Sequence, residues 1–130
     1  MASRAREFSV LLEDRPGSLA DLTQALGEGG VNIEAIAALP SGGKGDVRIV
    51  IGDAAGARQA LQRAGVKVAG EREILLVDLE HRPGELARVT RKLGDAGVNI
   101  DAVYVVGEVG GRKRIALGTG DVEKAERALG

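Results

Sequence analysis

Two short turns carry the residues of this chain whose types and spacing suit the binding of a small charged molecule. Residues 14–17 read Asp-Arg-Pro-Gly, residues 81–84 read His-Arg-Pro-Gly, and apolar residues at helical spacing follow each turn. Backbone N–H groups at the start of a helix attract carboxylates, and glycine allows a ligand to approach the backbone closely. Each turn is therefore predicted to form a carboxylate cradle. The N–H groups concerned belong to Gly17, Ser18 and Leu19 in the first turn and to Gly84, Glu85 and Leu86 in the second.

The two turns belong to an internal repeat. Residues 13–35 and 80–102 lie 67 positions apart and are identical at 14 of 23 positions. Because a repeated segment indicates a repeated structural unit, we expect two domains, residues 1–70 and residues 71–130. A domain of about 60 residues is marginally stable alone, so each half is expected to lean on the other half or on a second chain.

The pattern of apolar residues predicts the order strand, helix, strand, strand, helix in each half. Strands are predicted at residues 6–13, 31–39, 46–52, 73–80, 98–106 and 112–117. Helices are predicted to begin at Pro16 and Pro83, and to follow the N-cap residues Asp53 and Asp121. This order is typical of an α+β, ferredoxin-like fold, in which an antiparallel sheet carries two helices on one face.

A complete ferredoxin-like domain needs a fourth strand, and only residues 66–69 are left to supply one. They complete the second sheet if they form a hairpin with the strand at Glu73 through Gly70 and Glu71. Alternatively, they complete the sheet of their own domain and leave the second domain with an open edge, which invites another chain. The sequence leaves both arrangements open, with the fourth strand present at most once.

Composition excludes several classes of function. The net charge is −1, so no overall field draws the chain to nucleic acid or to an anionic membrane. With no cysteine and one histidine, no metal site, thiol chemistry or cofactor is expected. Phe8 and Tyr104 are the only aromatic residues, too few to stack RNA bases. No Ser/His/Asp arrangement or buried acid pair is evident, so we expect no catalytic residue and no enzyme.

Two further absences bear on location. No apolar run approaches the length of a membrane-spanning helix, and the first residues lack the apolar core of a signal peptide. We therefore expect a cytoplasmic protein without membrane contact.

The string D-R-P-G-x-L-A, followed by a helix and then G-V-N-I, resembles the ACT domain family in both repeats. The resemblance covers nearly the whole chain and implies two ferredoxin-like ACT domains of βαββαβ type. ACT domains are small regulatory modules that bind amino acids and other small metabolites. Since no enzyme accompanies the repeats, the chain looks like a stand-alone tandem ACT protein. Its implied partners are an amino acid ligand, a second copy in a homodimer, and an enzyme that it regulates.

The resemblance also implies particular ligand contacts. In the family, the polar residue before the R-P-G turn faces the ligand; here it is Asp14 or His81. An Asn after the helix reaches across from the neighbouring domain; here it is Asn32 or Asn99. One implied site joins Asp14 to Asn99, and the other joins His81 to Asn32. Because Asp14 prefers a cation whereas His81 is often neutral near pH 7, we expect Asp14 to make the better site.

The expected ligand is an apolar amino acid. Serine-sensing members of the family carry a His two residues before the polar residue of the turn, but this chain has Leu12 and Leu79 there. A small polar ligand thereby loses a partner, so a branched-chain amino acid is favoured over serine.

Each of these residues also has a purely structural interpretation. A Pro-Gly pair commonly starts a helix, an Asn after a glycine-rich turn serves local hydrogen bonds, and Asp14 is placed to cap the first helix. His81 is a lone histidine with no companion ligand for a metal. The alternative function is a ligand-independent protein-interaction module that acts on a partner enzyme.

Overall fold

The computed structural model describes residues 2–130 and confirms the α+β fold with antiparallel sheets. The order of elements is β1 (Ala2–Glu13), α1 (Ser18–Glu28), β2 (Ile33–Ser41), β3 (Lys44–Ile51), α2 (Ala54–Arg63), β4 (Val68–Glu80), α3 (Glu85–Asp95), β5 (Ile100–Val109), β6 (Arg112–Thr119) and α4 (Val122–Leu129). Two compact units result: Arg6–Arg72, and residues 2–5 together with Glu73–Gly130.

In the unit Arg6–Arg72 the strands follow the order β2-β3-β1-β4. β3 pairs antiparallel with both β1 and β2. Phe8 lies opposite Ile49 in the β1/β3 pair, and the alternation of a pleated strand turns both towards the helices. They pack with Leu22 and Leu26 of α1 and Leu61 of α2, all inaccessible to solvent or nearly so. Each helix therefore buries one face against the sheet, although Leu19 of α1, which follows the predicted apolar spacing, stays 43% exposed.

The other unit has the strand order β1-β4-β6-β5. β6 pairs antiparallel with β4 and with β5. Leu75 of β4 and Leu117 of β6 lie opposite each other and pack under Val89 and Leu93 of α3 and Ala125 of α4. The two units thus repeat one plan, as the sequence repeat predicts.

Both short helices that close the units begin at the predicted N-cap residues. The Asp53 carboxylate accepts a hydrogen bond from Gly56 N (3.0 Å), and Asp121 accepts one from Lys124 N (3.0 Å). Each cap satisfies one of the N–H groups that a helix start leaves without an intrahelical partner.

Of the two arrangements left open for residues 66–69, the structure confirms that they complete the sheet of their own domain, but the predicted number of fourth strands is wrong. No hairpin turn separates residues 66–69 from the strand at Glu73, because β4 runs unbroken from Val68 to Glu80. Its first residues, 68–72, belong to the unit Arg6–Arg72 and complete that sheet. The equivalent strand of the other unit consists of residues 2–5, the start of β1. Each unit therefore has four strands, where the sequence predicts a fourth strand at most once.

Ion pairs hold these strand segments in their units. Glu71 lies 2.6 Å from Arg58 of α2 and 2.8 Å from Arg6 of β1, all within the unit Arg6–Arg72. In the other unit, Arg4 lies 2.9 Å from Glu73 and also pairs with Glu126 of α4. The sequence does not predict a strand at residues 2–5, because Ala-Ser-Arg-Ala lacks the apolar alternation of a strand.

None of the helices within residues 2–130 is long and apolar enough to cross a membrane.

Candidate functional site

The turn before α1 leaves the start of that helix open. Gly17 is the N-cap with φ 91°, the left-handed conformation that favours glycine, so α1 begins at Ser18 and not at Pro16 as predicted. Ser18 N donates to Arg15 O (3.3 Å), and Asp21 N donates to Gly17 O (2.9 Å). No side chain caps this helix, so Asp14 does not play the capping role that its position allows. The carboxylate of Asp14 is not committed to the helix start.

Ser18 carries the most unusual polar atom of this turn. The residue is 8% exposed, and its Oγ is buried without a hydrogen-bond partner in the part of the chain that the structure describes. A buried polar group left unsatisfied costs about 1–3 kcal/mol. Such a group marks the start of α1 as a place where a polar partner is missing.

Ser18 is one of the residues that line a cleft of about 290 Å³, close to the lower end of the volumes of small-molecule sites. Apolar side chains make up much of its lining: Leu12, Leu19, Ala38, Leu39, Pro40 and Val47. The remaining lining residues include Glu13, Asp14, Arg15 and Ser18. The predicted residues Asp14, Ser18 and Leu19 are thus brought together at one cleft.

The charges at this cleft suit a zwitterion. Asp14 is exposed and offers a carboxylate to an ammonium group. The guanidinium of Arg15 donates to the neighbouring Pro16 O (3.4 Å) and forms no ion pair within residues 2–130. Glu13 is already engaged, since it lies 2.6 Å from Lys44, whose ammonium lowers the pKa of the Glu13 carboxyl. One acid and one base therefore remain available beside the open helix start.

Asn32 lies far from this cleft. It is exposed and directly precedes β2, at the end of the sheet where Ile33 pairs with Ile51. Asp14 follows β1 at the opposite end, where Glu13 pairs with Lys44. The structure therefore does not bring Asp14 and Asn32 of the same unit together.

The turn before α3 has the same backbone as the first. Gly84 is the N-cap with φ 88°, and α3 begins at Glu85, two residues later than predicted. Glu85 N donates to Arg82 O (3.4 Å), and Arg88 N donates to Gly84 O (2.9 Å). These contacts correspond one for one to those of the first turn, so the two turns differ in side chains and not in conformation.

The side chain of Glu85 fills the position that Ser18 occupies in the first turn. Glu85 is 7% exposed, with Oε2 3.2 Å from Arg88 and Oε1 3.0 Å from Arg82. Hydrogen bonds from Arg88 and Arg82 hold the pKa of this carboxyl below its usual value. The second turn thus contains a carboxylate of its own.

The other predicted residues of the second turn are exposed. His81 Nε2 lies 3.8 Å from Glu108 Oε1, and Leu86 is exposed to the same extent as Leu19. Asn99 is also exposed and directly precedes β5. His81 and Asn99 lie at opposite ends of their sheet, since Glu80 pairs with Arg112 and Ile100 with Thr119. The pairs Asp14–Asn99 and His81–Asn32 stay predictions.

A larger cleft, of about 370 Å³, lies between β4, α3 and α4. Its two acidic residues are already paired: Asp78 lies 2.6 Å from Arg114, and Glu126 pairs with Arg4. We favour the smaller cleft as the functional one, because it combines an open helix start, an unpartnered buried hydroxyl and an uncommitted acid.

Two features of the site were missed from the sequence. The unpartnered hydroxyl of Ser18 depends on burial, which no sequence pattern indicates. Of the two arginines that contact Glu85, only Arg88 had a sequence signal, because it follows Glu85 by three residues in the helix, a spacing at which side chains meet; Arg82 lies in the turn before the helix.

Comparison with known proteins bears on the whole chain. The family model described as the ACT domain matches residues 6–65 and 74–129. No curated protein sequence matches at a significant level.

Solved structures with the same fold include a protein of Bacteroides thetaiotaomicron, with a TM-score of 0.88 and 23% identity over 98% of this chain and 88% of that one. The ligand-free regulatory subunit of aspartate kinase from Thermus thermophilus has a TM-score of 0.71 and 21% identity, over 99% of this chain and 93% of its own. The corresponding subunit from Thermus flavus has a TM-score of 0.70 and 20% identity over the same shares. At these identities the likeness establishes the fold.

Proposed function

Since the chain belongs to the ACT domain family, with one ACT domain in each half, we propose that it is a regulatory protein that binds a free amino acid at the first turn. The ligand carboxylate approaches the N–H groups at the start of α1, and its ammonium group pairs with Asp14. The protein reports the bound state to a partner and performs no reaction itself.

The observation that carries this proposal is the buried, unpartnered hydroxyl of Ser18 beside the open start of α1. A helix start attracts a carboxylate through its N–H groups and the helix dipole. The hydroxyl adds a donor and acceptor at the same place, and Arg15 adds a cation. A ligand that satisfies these groups gains hydrogen bonds that the free protein lacks, which favours the bound state.

The lining of the cleft supports an apolar side chain on the ligand. Leu39 is 70% exposed and Leu19 is 43% exposed, so both have area to bury against a ligand. Burial of apolar surface contributes roughly 25 cal/mol per Å². We propose a branched-chain amino acid, namely leucine, isoleucine or valine, in preference to serine.

Completion of the site by an Asn from another domain is a further part of the proposal. Asn99 is the residue expected to reach a ligand held by Asp14. Replacement of Asn99 by Ala is expected to weaken binding of the amino acid. Unchanged affinity would show that Asn99 is not part of the site.

A homodimer is proposed from the outermost strands. β2 and β5 stand at the ends of the strand order and carry exposed apolar side chains: Ile36 and Leu39 on β2, and Val103, Val105 and Val109 on β5. Strand edges with unpaired backbone groups and apolar neighbours favour pairing with another chain. A regulated partner enzyme is proposed as a second contact, since two of the similar structures are regulatory subunits of aspartate kinase.

The alternative is a protein-interaction module that ignores amino acids, and the same exposed strand residues favour it. A thermal-unfolding screen of the twenty amino acids, each in large excess, separates the two. A ligand at about 100 times its dissociation constant adds about 2.7 kcal/mol of stability, which raises Tm by several degrees. A rise with one or a few apolar amino acids supports a sensor. No rise with any of the twenty favours the interaction module.

A further inference from the structure

The two turns form a matched pair that differs at the first residue of the helix. Both N-cap glycines adopt the left-handed conformation, with φ 91° at Gly17 and 88° at Gly84. The backbone hydrogen bonds within the turns agree to 0.1 Å. Ser18 begins one helix and Glu85 begins the other, and both are buried. Any difference in ligand binding between the turns therefore has to come from side chains.

Glu85 brings to its turn the chemical group that an amino acid ligand would bring. Its carboxylate stands at the start of α3, where the helix dipole favours a negative charge. Arg82 and Arg88 contact one oxygen each, at 3.0 Å and 3.2 Å. These are charge-assisted hydrogen bonds, the stronger class in proteins. A ligand carboxylate at this turn would meet a like charge and arginines that are already engaged.

The first turn lacks each part of this arrangement. Ser18 is short and neutral, and its hydroxyl has no partner within residues 2–130. Arg15, the counterpart of Arg82, forms no ion pair there and stays available to a ligand. The counterpart of Arg88 is Asp21, so a second cation to hold an internal carboxylate is absent from the first turn.

We propose that Glu85 is a built-in substitute for a ligand carboxylate, which closes the second turn and leaves the chain with one amino acid site, at the first turn. This inference rests on the proposed function for the first turn. It assigns Glu85 a role in setting the number of ligands per chain, and it replaces the expectation of two sites with one.

Amide chemical shifts in ¹⁵N-labelled protein test the inference with acetate, a carboxylate without an ammonium group or side chain. Sodium acetate is titrated against sodium chloride at equal ionic strength. We expect saturable shifts at the amides of Leu19 and Ala20 in the wild type, with at least a fivefold smaller response at Leu86 and Ala87. In Glu85→Ser, which places the residue of the first turn at this position and frees Arg82 and Arg88, the response at Leu86 and Ala87 should rise at least to that of the first turn.

Two further variants keep the test decisive. Glu123→Ser removes a carboxylate from the first turn of α4 and should leave the acetate response of α3 unchanged. Glu85→Gln keeps the size of the side chain and serves if Glu85→Ser does not fold; its α3 amides should also gain a response. Equal acetate responses of both turns in the wild type would overturn the inference. So would the absence of any increase in the response of the α3 amides in both Glu85 variants.

The outcome is separable from that of the proposed function. If acetate shifts the α1 amides but none of the twenty amino acids raises Tm, the proposed function fails while the role of Glu85 stands. If an amino acid raises Tm and Glu85→Ser still binds one ligand per chain with silent α3 amides, the role of Glu85 fails while the proposed function stands.

Discussion

Ser18 and Glu85 occupy the same position in two turns of the same backbone conformation, yet the hydroxyl of Ser18 has no partner within residues 2–130 and the carboxylate of Glu85 is held by two arginines. The two turns share one backbone conformation, and the side chains at a few equivalent positions make them unequal. The open turn keeps unsatisfied groups that a ligand can use. The closed turn contributes to the stability of its own helix.

Ser18→Ala separates stability from binding. A buried hydroxyl without a partner has lost its hydrogen bonds to water and gained none in the protein. Its removal should therefore leave the free energy of unfolding equal or raise it by about 0–2 kcal/mol. Affinity for the amino acid ligand should fall about fivefold or more. Urea denaturation with and without ligand measures both effects, and Ser41→Ala at an exposed site is the control. A loss of stability without a loss of affinity would mean that Ser18 has a structural partner.

Glu71 predicts a defined acid dependence. Hydrogen bonds from Arg58 and Arg6 lower the pKa of its carboxyl from 4.5 to about 2. Because the folded pKa is depressed, this stabilisation is present in full above about pH 4.5 and is lost as the pH falls towards 2. Since both arginines are substantially exposed, its size should be about 1–2 kcal/mol after solvent screening.

Glu71→Gln should therefore lower stability at pH 7 and flatten the fall between pH 4.5 and pH 2. Urea denaturation at a series of pH values measures this, with Glu34→Gln as a control at an exposed carboxylate. An unchanged pH profile in Glu71→Gln would show that the ion pairs of Glu71 contribute no stability.

Deletion of residues 2–5 tests whether they supply the fourth strand of the unit that contains Glu73–Gly130. Without this strand, the backbone groups of β4 at residues 73–77 lose their neighbour, and Arg4 no longer pairs with Glu73 and Glu126. Hydrogen exchange at residues 73–77 should then accelerate at least tenfold, while exchange within β3 changes little. Equal protection of residues 73–77 in the shortened chain would contradict this assignment.

Val105→Lys tests the proposed dimer. Val105 is 61% exposed on the outermost strand β5, so a charge there should cost the monomer little and disfavour strand pairing. Light scattering coupled to size-exclusion chromatography should show a dimer for the wild type and a larger monomer fraction for the variant. Glu108→Lys on the same strand, where the wild type is already charged, is the control. An unchanged dimer in Val105→Lys would show that the dimer interface does not include β5 at Val105.

Much of the fold was predictable because the pattern of apolar residues is strong. The repeat, the order of strands and helices within it, and the caps at Asp53 and Asp121 all follow from local rules. Residues 2–5 were not predictable as a strand, because they become one only through a partner 70 residues away in the chain. Non-local pairing of polar segments leaves no local signal.

The candidate site was predictable in place but not in detail. The D-R-P-G string identified the turn where Asp14, Ser18 and Leu19 meet at a cleft. It did not reveal that one turn is open and the other closed, since that depends on the burial of Ser18 and Glu85 and on where the arginines point. The lesson is that a repeated motif identifies equivalent positions without making them equal in chemistry.

Calorimetric titration of leucine, isoleucine and valine into the wild type and Asp14→Ala tests whether the first turn binds an amino acid through Asp14, with His81→Ala as the matched control from the second repeat. We expect saturable binding of at least one of them at one ligand per chain, weakened about tenfold or more in Asp14→Ala and unchanged in His81→Ala. Absence of binding by all three, or equal affinity in the wild type and Asp14→Ala, would contradict this expectation.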